Sequence, residues 1–311
     1  MRPAPSHSPT GETVALARAF GVIVCTRNRS QHLHPTLDAL ARLEGEDFRV
    51  VVVDQSDEPD EALARRAEAS DRLSVIRDAG RGLSRARNLG WPALDTEWVV
   101  FVDDDCLLAP DWASELSAFL AAHPDASFVS GPVLEHNLPE DDYLVVTTFA
   151  VDEERRRAGR WVYPWKIGFG VCMAVRRSAI ERLGGWDERL GAGVPDFPAA
   201  EDMDFNYRLL RAGGVAYATP GPRARHEQWR TAADLPPLFY GYALSWAGFA
   251  MKHLRSGDVL GGVWLWADGV RDVVKMFASS LRRRSRLRFA VAWAKLRGLV
   301  TGTARGLTRS W

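Results

Sequence analysis

The stretch Trp98-Val99-Val100-Phe101-Val102-Asp103-Asp104-Asp105 decides how the rest of the chain is read: five apolar residues run straight into three carboxylates. A short continuous apolar run is the pattern of a strand buried on both faces. Alternation along such a strand places Asp103 and Asp105 on one side and Asp104 on the other. Carboxylates crowded at the rim of an apolar sheet repel one another, and they are tolerated when one takes a proton or a cation sits between them. A divalent ion that also takes phosphate oxygens suits an all-oxygen ligand set. A solvated acidic turn is the plain alternative. The position at the carboxyl end of a buried strand, where open α/β sheets bind ligands, favours the cation.

Working outward, the flanks repeat the same unit. Ala19 to Cys25 reads as a first strand ending in Thr26-Arg27-Asn28-Arg29, and a helix follows from His34 to Leu43 with leucines at helical spacing. Phe48 to Val53 is a second strand ending in Asp54-Gln55-Ser56-Asp57, followed by a helix over Pro59–Ser70 and a short strand over Leu73–Ile76. Gly80-Arg81-Gly82 opens the next helix, Pro110 and Asp111 start another running to Ala122, and Phe128 to Ser130 is a fifth strand. Strands alternating with helices at this pitch predict an α/β fold with a doubly wound, mostly parallel sheet. Three strand ends carry polar clusters: Thr26/Arg27, Asp54/Asp57 and Asp103/Asp105.

The second half is less regular. Glu135 to Arg160 is polar, and its Arg155-Arg156-Arg157 run reads as a solvated face. Trp161, Tyr163 and Trp165 are either core or a sugar platform. A strand over Phe169–Val175, a helix over Arg176–Leu183 stopped by Gly184-Gly185, a helix opened by Glu201-Asp202 and a strand over Val215–Ala218 complete this part. Acids in a first helical turn complement the helix dipole, which is the structural reading of Glu201 and Asp202.

The 311 residues suffice for one large or two small domains. Lys plus Arg and Asp plus Glu both number 40, so no bulk field recruits nucleic acid. Cys25, Cys106 and Cys172 form no CxxC pair, which points to free thiols in a reducing compartment. Residues 1–18 read as a disordered lead-in without signal-peptide character. No apolar run approaches the roughly 20 residues that span a bilayer, so a cytoplasmic protein is expected.

Five pieces, in order, carry a resemblance: VIVCTRNR (22–29), VVVDQSD (51–57), FVDDDCLLAP (101–110), GGWDE (184–188) and EDMDFNYRLLRAGG (201–214) followed by His226. From Phe20 to Gln228 the chain resembles family 2 glycosyltransferases of the GT-A fold. The resemblance implies a catalytic domain over 19–230, with a nucleotide-binding half (19–131) and an acceptor-binding half (132–230). It implies an inverting transfer of sugar from a nucleoside-diphosphate sugar to a glycan, glycolipid or glycoside hydroxyl, with Mg²⁺ or Mn²⁺ as cofactor. Thr26, Arg27, Arg29, Asp54, Asp57, Asp103 and Asp104 would hold the nucleotide, and Arg81, Arg85 and Asn88 would line the diphosphate. Asp103, Asp105 and His226 would bind the metal, with a lone surface histidine as the alternative for His226. Asp202 would be the catalytic base. Trp186, Asp187 and Glu201 would meet the acceptor, with core packing the alternative for Trp186.

Residues 231–311 form an apolar, basic, helical extension with no acid after Asp272. Phe289, Trp293, Leu296 and Val300 share a helical face flanked by Arg282, Arg283, Arg284, Arg286 and Arg288. Such a helix either lies on an anionic membrane surface, giving a peripheral association at its inner face, or packs on the catalytic domain. Two other functions compete. A sugar-nucleotide nucleotidyltransferase would need a Gly-rich phosphate loop, which the end of the first strand lacks; a non-catalytic binding relative would not need Asp103, Asp105, Asp202 and His226 intact.

Overall fold

The computed structural model describes residues 20–43, 47–138 and 144–311, and the lead-in expected over 1–18 lies outside them. The first half alternates as the sequence predicts: β1 (Phe20–Thr26), α1 (Ser30–Ala41), β2 (Val50–Asp54), α2 (Glu61–Glu68), β3 (Leu73–Arg77), α3 (Leu83–Gly90) and β4 (Trp98–Asp103). After β4 come β5 (Cys106–Leu108), α4 (Trp112–Ala122), β6 (Phe128–Ser130), β7 (Val133–His136) and β8 (Arg155–Ala158). The remainder is β9 (Cys172–Arg176), α5 (Arg177–Leu183), α6 (Glu201–Arg211), β10 (Val215–Ala218), β11 (Ala224–Glu227), α7 (Leu235–Arg255), α8 (Val259–Arg283) and α9 (Arg286–Thr308).

Eight strands form one sheet in the order β3-β2-β1-β4-β9-β6-β10-β8. Strands β1 to β4 pair in parallel, whereas β9 runs antiparallel between β4 and β6. Period-two alternation builds both faces. Val22, Val24, Val50, Val52, Val100 and Val102 pack with α1 and α4. Ile23, Val51, Val53, Val99 and Phe101 pack with α3, α5 and α6. Each such side chain contributes on the order of 1.5–3 kcal/mol by leaving water. β5, β11 and β7 form a second sheet, whose β5 begins just after β4 ends.

One expectation is corrected. The Arg155–Arg157 run is not part of an irregular face: it is the edge strand β8, antiparallel to β10, with every second residue exposed. Charge on an edge strand guards against pairing with another chain, and it also hides the strand from a hydrophobic pattern. The short strands β5 and β11 are not read from the sequence: β5 pairs with β11, and β11 with both β5 and β7, partners that only the fold supplies. The tail is helical, as expected, and its three helices form a bundle. Arg284 adopts a left-handed conformation (φ 49°), and Ser285 accepts from the Arg288 N–H to start α9.

This bundle is tied to the body by charge. Asp204 of α6 is fully buried and takes Lys252 at 2.6 Å and His253 at 2.9 Å from α7, with Arg208 at 2.8 Å. Asp258, before α8, accepts from Tyr207 at 2.6 Å and pairs with Arg211. Among the described residues no helix is long and apolar enough to cross a membrane.

Candidate functional site

Three strand ends meet at one rim, with Cys25 beside Asp103 and Thr26 beside Asp54. Strand β4 stops at Asp103, so alternation ends there and the following turn folds Asp104 and Asp105 inward together. Thr26 Oγ1 donates to Asp104 at 2.7 Å. The Arg29 guanidinium spans both acids, 2.7 Å from Asp104 and 2.5 Å from Asp105, and lies over the Trp229 ring. Trp229 Nε1 donates to Asp105 at 2.9 Å. Asp103 keeps 29% of its side chain open.

The remaining Asp105 oxygen, Oδ1, is buried without a hydrogen bond and faces His226 Nε2 at 3.3 Å. His226, on β11, is buried, which removes the surface-histidine alternative. Its Nδ1 lies 3.0 Å from the amide nitrogen of Gln228, whose side chain is itself bonded at 3.0 Å to both the N–H and the carbonyl of Val146. Burial pushes the Asp103 carboxyl up to about 6 against the pull of Arg87, and Asp104 up to about 7 against Arg29. Burial also opposes ionisation of Asp105, but His226 and Arg29 outweigh it and hold that carboxyl well below the usual range.

These atoms fit a divalent ion. Neighbouring ligands of an octahedral Mg²⁺-type ion, each at roughly 2.0–2.1 Å, stand about 3 Å apart, close to the spacing of the unpartnered Asp105 oxygen and His226 Nε2. Among the described residues no group of three or more His, Cys, Asp or Glu would hold an ion unaided. Hard cations of this kind commonly take one or two carboxylates and complete the shell with substrate phosphates and water.

Arg87 of α3 joins this cluster to α6. It is fully buried, with Nη1 3.1 Å from Glu201, Nη2 donating to the Gly170 carbonyl at 3.0 Å, and Asp103 at 3.5 Å. Glu201 and Asp202 open α6 after Ala200, which is held in the left-handed region at φ 69°; such a conformation costs of order 1 kcal/mol or more for a residue with a Cβ. Asp202 Oδ2 accepts from the Gly170 N–H and Oδ1 from the Met203 N–H, both at 2.8 Å. A Cβ on Gly170 would stand 2.7 Å from Arg87 and 3.1 Å from Asp202, so glycine lets both groups reach that backbone. Burial, and then the Asp202 charge, push Glu201 up to about 7.

A cavity of about 810 Å³ takes in Gln55, Asp103, Asp105, His226, Glu201 and Asp202, then continues beneath α7, α8 and α9. The family model for glycosyl transferase family 2 matches residues 21–184. The chain belongs to glycosyltransferase family 2.

Relatives and solved structures agree with that assignment. An uncharacterized glycosyltransferase of Haemophilus influenzae is 23% identical over 193 residues, 62% of each chain. A PGL/p-HBAD biosynthesis glycosyltransferase of Mycobacterium bovis is 32% identical over 122 residues, 38% of this chain and 48% of that one. The match thus spans less than two thirds of either relative's length. In fold, the chain is similar to the mannosyltransferase PcManGT of Pyrobaculum calidifontis, solved with GDP-Man and Mn²⁺ (18% identity, 94% and 88% of the two chains, TM-score 0.61). It is also similar to residues 1–349 of S. aureus TarS, solved with UDP (17% identity, 92% and 90%, TM-score 0.54). The expected GT-A architecture is the fold observed.

Within this family 2 chain the residues expected at the site divide into two groups. Thr26, Arg27, Arg29, Asp103, Asp104, Asp105, Glu201, Asp202 and His226 line the shared cavity. The others do not. Asp54 is 1% exposed, pairs with Arg77 and accepts from the Ser56 N–H, so its oxygens are engaged. Asp57 is an exposed partner of Arg27 and Asn28. Arg85 is bound to Asp78, whose carboxyl that guanidinium holds down at about 2; Arg81 is exposed and does not line the cavity. Asn88 clamps the Trp186 backbone. Trp186 itself is core, stacked on Phe205 at 4.4 Å and edge-on to Phe101 at 4.5 Å, so neither face is free for a sugar. Asp187 is taken by Arg189 and Lys252. Residues that sequence reasoning passed over are Arg87, Gln55, Gln228 and the wall supplied by α7–α9. For Arg87 a signal existed: Ala86 and Gly90 are the small residues by which α3 lies against the sheet, and Arg87 shares that stripe.

Proposed function

We propose that this chain is an inverting glycosyltransferase, moving a sugar from a nucleoside-diphosphate sugar to the hydroxyl of a glycan, glycolipid or glycoside by single displacement. The observation that carries the reading is that Asp202 and the Asp103–Asp105 group line one cavity. The Mn²⁺ and GDP-Man bound by the Pyrobaculum enzyme, and the UDP bound by TarS, support a donor of this chemistry. Asp105, His226 and Asp103 would hold Mg²⁺ or Mn²⁺, which when bound neutralises charge on the departing diphosphate.

In this reading Asp202 takes the proton of the acceptor hydroxyl as its oxygen attacks the anomeric carbon from the face opposite the diphosphate. General-base help of this kind is worth about 10²–10⁴-fold. Positioning and charge stabilisation at the leaving group supply the rest. The Gly170 N–H fixes the direction in which Asp202 points. Glu201, held by Arg87 and disposed to keep a proton near neutrality, orients the acceptor and leaves the base role to Asp202. Gln55 and Thr26 serve the nucleotide end, and Arg29 is the guanidinium best placed to move from the acids to the incoming diphosphate.

Residues 231–311 would complete the acceptor side and rest on an anionic membrane. Val259, Leu260, Val263, Val274 and Leu281 of α8 and Phe289, Trp293 and Val300 of α9 are exposed, next to the Arg282–Arg284 run. The test of the main reading is release of free nucleoside diphosphate from a panel of sugar nucleotides with Mn²⁺ and with EDTA. Metal-dependent release from at least one donor is expected, and equal release in EDTA would overturn it.

A further inference from the structure

The cavity does not end at the catalytic acids. Past Asp202 its wall is made by Tyr242 and Trp246 of α7, by Asp268, Arg271, Asp272 and Lys275 of α8, and by Lys295 of α9, with Arg230 at the near side. This arm lies outside the stretch matched by the family model, which stops at residue 184. Its aromatic rings offer flat apolar faces of the kind that stack on a sugar or cover an isoprenoid chain.

The charges in the arm do not cancel. Four cations, Arg230, Arg271, Lys275 and Lys295, face two carboxylates. Each carboxylate is already used: Asp268 pairs with Arg271 and accepts from Trp165 Nε1 at 3.0 Å, and Asp272 pairs with Lys295 at 2.6 Å. Lys295 is only 7% exposed, with its ammonium 4.8 Å from the Phe239 ring centroid. Burying an ammonium is costly unless it is paired, and its one carboxylate, Asp272, is itself 58% exposed and so weakly held. Arg230 and Lys275 have no carboxylate partner among the described residues. A cavity lined by surplus positive charge concentrates anions.

We propose, resting on the glycosyltransferase reading, that the acceptor carries a phosphate ester, seated in the α7–α9 arm between Arg230, Lys275 and Lys295. The neutral hydroxyl to be glycosylated then reaches Asp202 while the anion is held at the far end. Two sources share that chemistry, a sugar or polyol phosphate and a phosphate-linked lipid.

The experiment fills the donor end first, with nucleoside diphosphate and Mn²⁺ at saturation, and then follows tryptophan fluorescence of the full chain. Glucose 6-phosphate is compared with glucose, and farnesyl phosphate with farnesol. The phosphate esters are expected to bind about tenfold more tightly than their neutral counterparts, the equivalent of one well-placed charge contact. Lys275→Ala should reduce that preference with nucleoside diphosphate affinity unchanged, and adding Arg230→Ala should abolish it; Lys275 is exposed, so its replacement leaves the fold intact. A larger preference for the farnesyl ester assigns the anion to a lipid carrier, and a larger one for the sugar ester assigns it to a soluble or polymeric glycan. Equal binding of ester and neutral compound, or a preference that survives the double variant, would overturn the proposal. If no nucleoside diphosphate binds, the donor reading fails separately, and the same ester comparison and variants still decide this one in its absence.

Discussion

The two ends of the cavity are built differently. At the sheet rim most cations are answered locally: Arg29 by Asp104 and Asp105, Arg27 by Asp57, Arg77 by Asp54, Arg85 by Asp78. Beneath α7–α9 the cations outnumber the carboxylates, and the groups come from helices far apart in sequence. A rim of matched pairs is pre-organised, and a ligand enters it by exchanging partners; an unmatched wall has to wait for a ligand to complete it. In the proposed reading, the rim would serve the donor diphosphate and its ion, and the helices the choice of acceptor.

The largest expected effect breaks the rim alone. Asp105→Asn removes the charge of the buried carboxylate beside His226, and kcat for nucleoside diphosphate release at saturating Mn²⁺ should fall by about 10²–10³-fold. Binding of a phosphate ester in the helical arm should survive, and its loss would mean the two ends are not separable.

The link between the ends is Arg87. Its replacement by Met leaves Glu201 buried without its guanidinium, and breaking a buried pair from one side costs about 3–5 kcal/mol. Chemical unfolding of Arg87→Met well above pH 7, where Glu201 is ionised in the parent, should show that loss, and adding Glu201→Gln should recover a large part of it because the orphaned acid is then gone. An Arg87→Met chain as stable as the parent would show that the guanidinium holds nothing together.

Next comes the tie between α6 and the bundle. Burial opposes ionisation of Asp204, yet His253, Lys252 and Arg208 hold its carboxyl far below the ordinary 3.8. A depressed folded-state pKa contributes stability that is complete above the unfolded value and declines as pH falls below it. Asp204→Asn should therefore lower stability near neutrality by about 1–3 kcal/mol, with the gap to the parent closing below about pH 4. A gap that stays constant from pH 7 to pH 3 would contradict the assignment. The smallest effect concerns the outer face of the bundle. Removing Arg282 or Arg283 should weaken co-sedimentation with anionic vesicles by about 1 kcal/mol each, roughly fivefold, and should leave neutral-lipid controls unchanged.

What the sequence disclosed follows the same division. The buried strands β1, β2 and β4 are runs of Val, Ile and Phe ending in polar groups, so both the element and the ligand-bearing end are written in one local stretch. Asp103 and Asp105 do line one cavity, as the alternation suggested, but Asp104 lines it too, because the turn after β4 obeys hydrogen bonds from Thr26 and Arg29 in place of strand alternation. Trp186 could be read as a platform because sequence shows a tryptophan beside two carboxylates; only packing shows Phe101 and Phe205 against its ring. Tyr242, Lys275 and Lys295 carry no local mark at all. They become one wall through helix–helix packing, where Gly298 and Gly302 of α9 let it lie against the α7 backbone.

The central claim is that residue 202, carried by a helix built late in the chain, performs proton removal at the site whose metal-side acids lie a hundred residues earlier. The direct measurement is kcat of Asp202→Asn alongside its nucleoside diphosphate affinity in Mn²⁺. The account predicts a fall of about 10²–10⁴-fold in kcat with affinity for the nucleotide unchanged. An Asp202→Asn chain that turns over at the parental rate would contradict it.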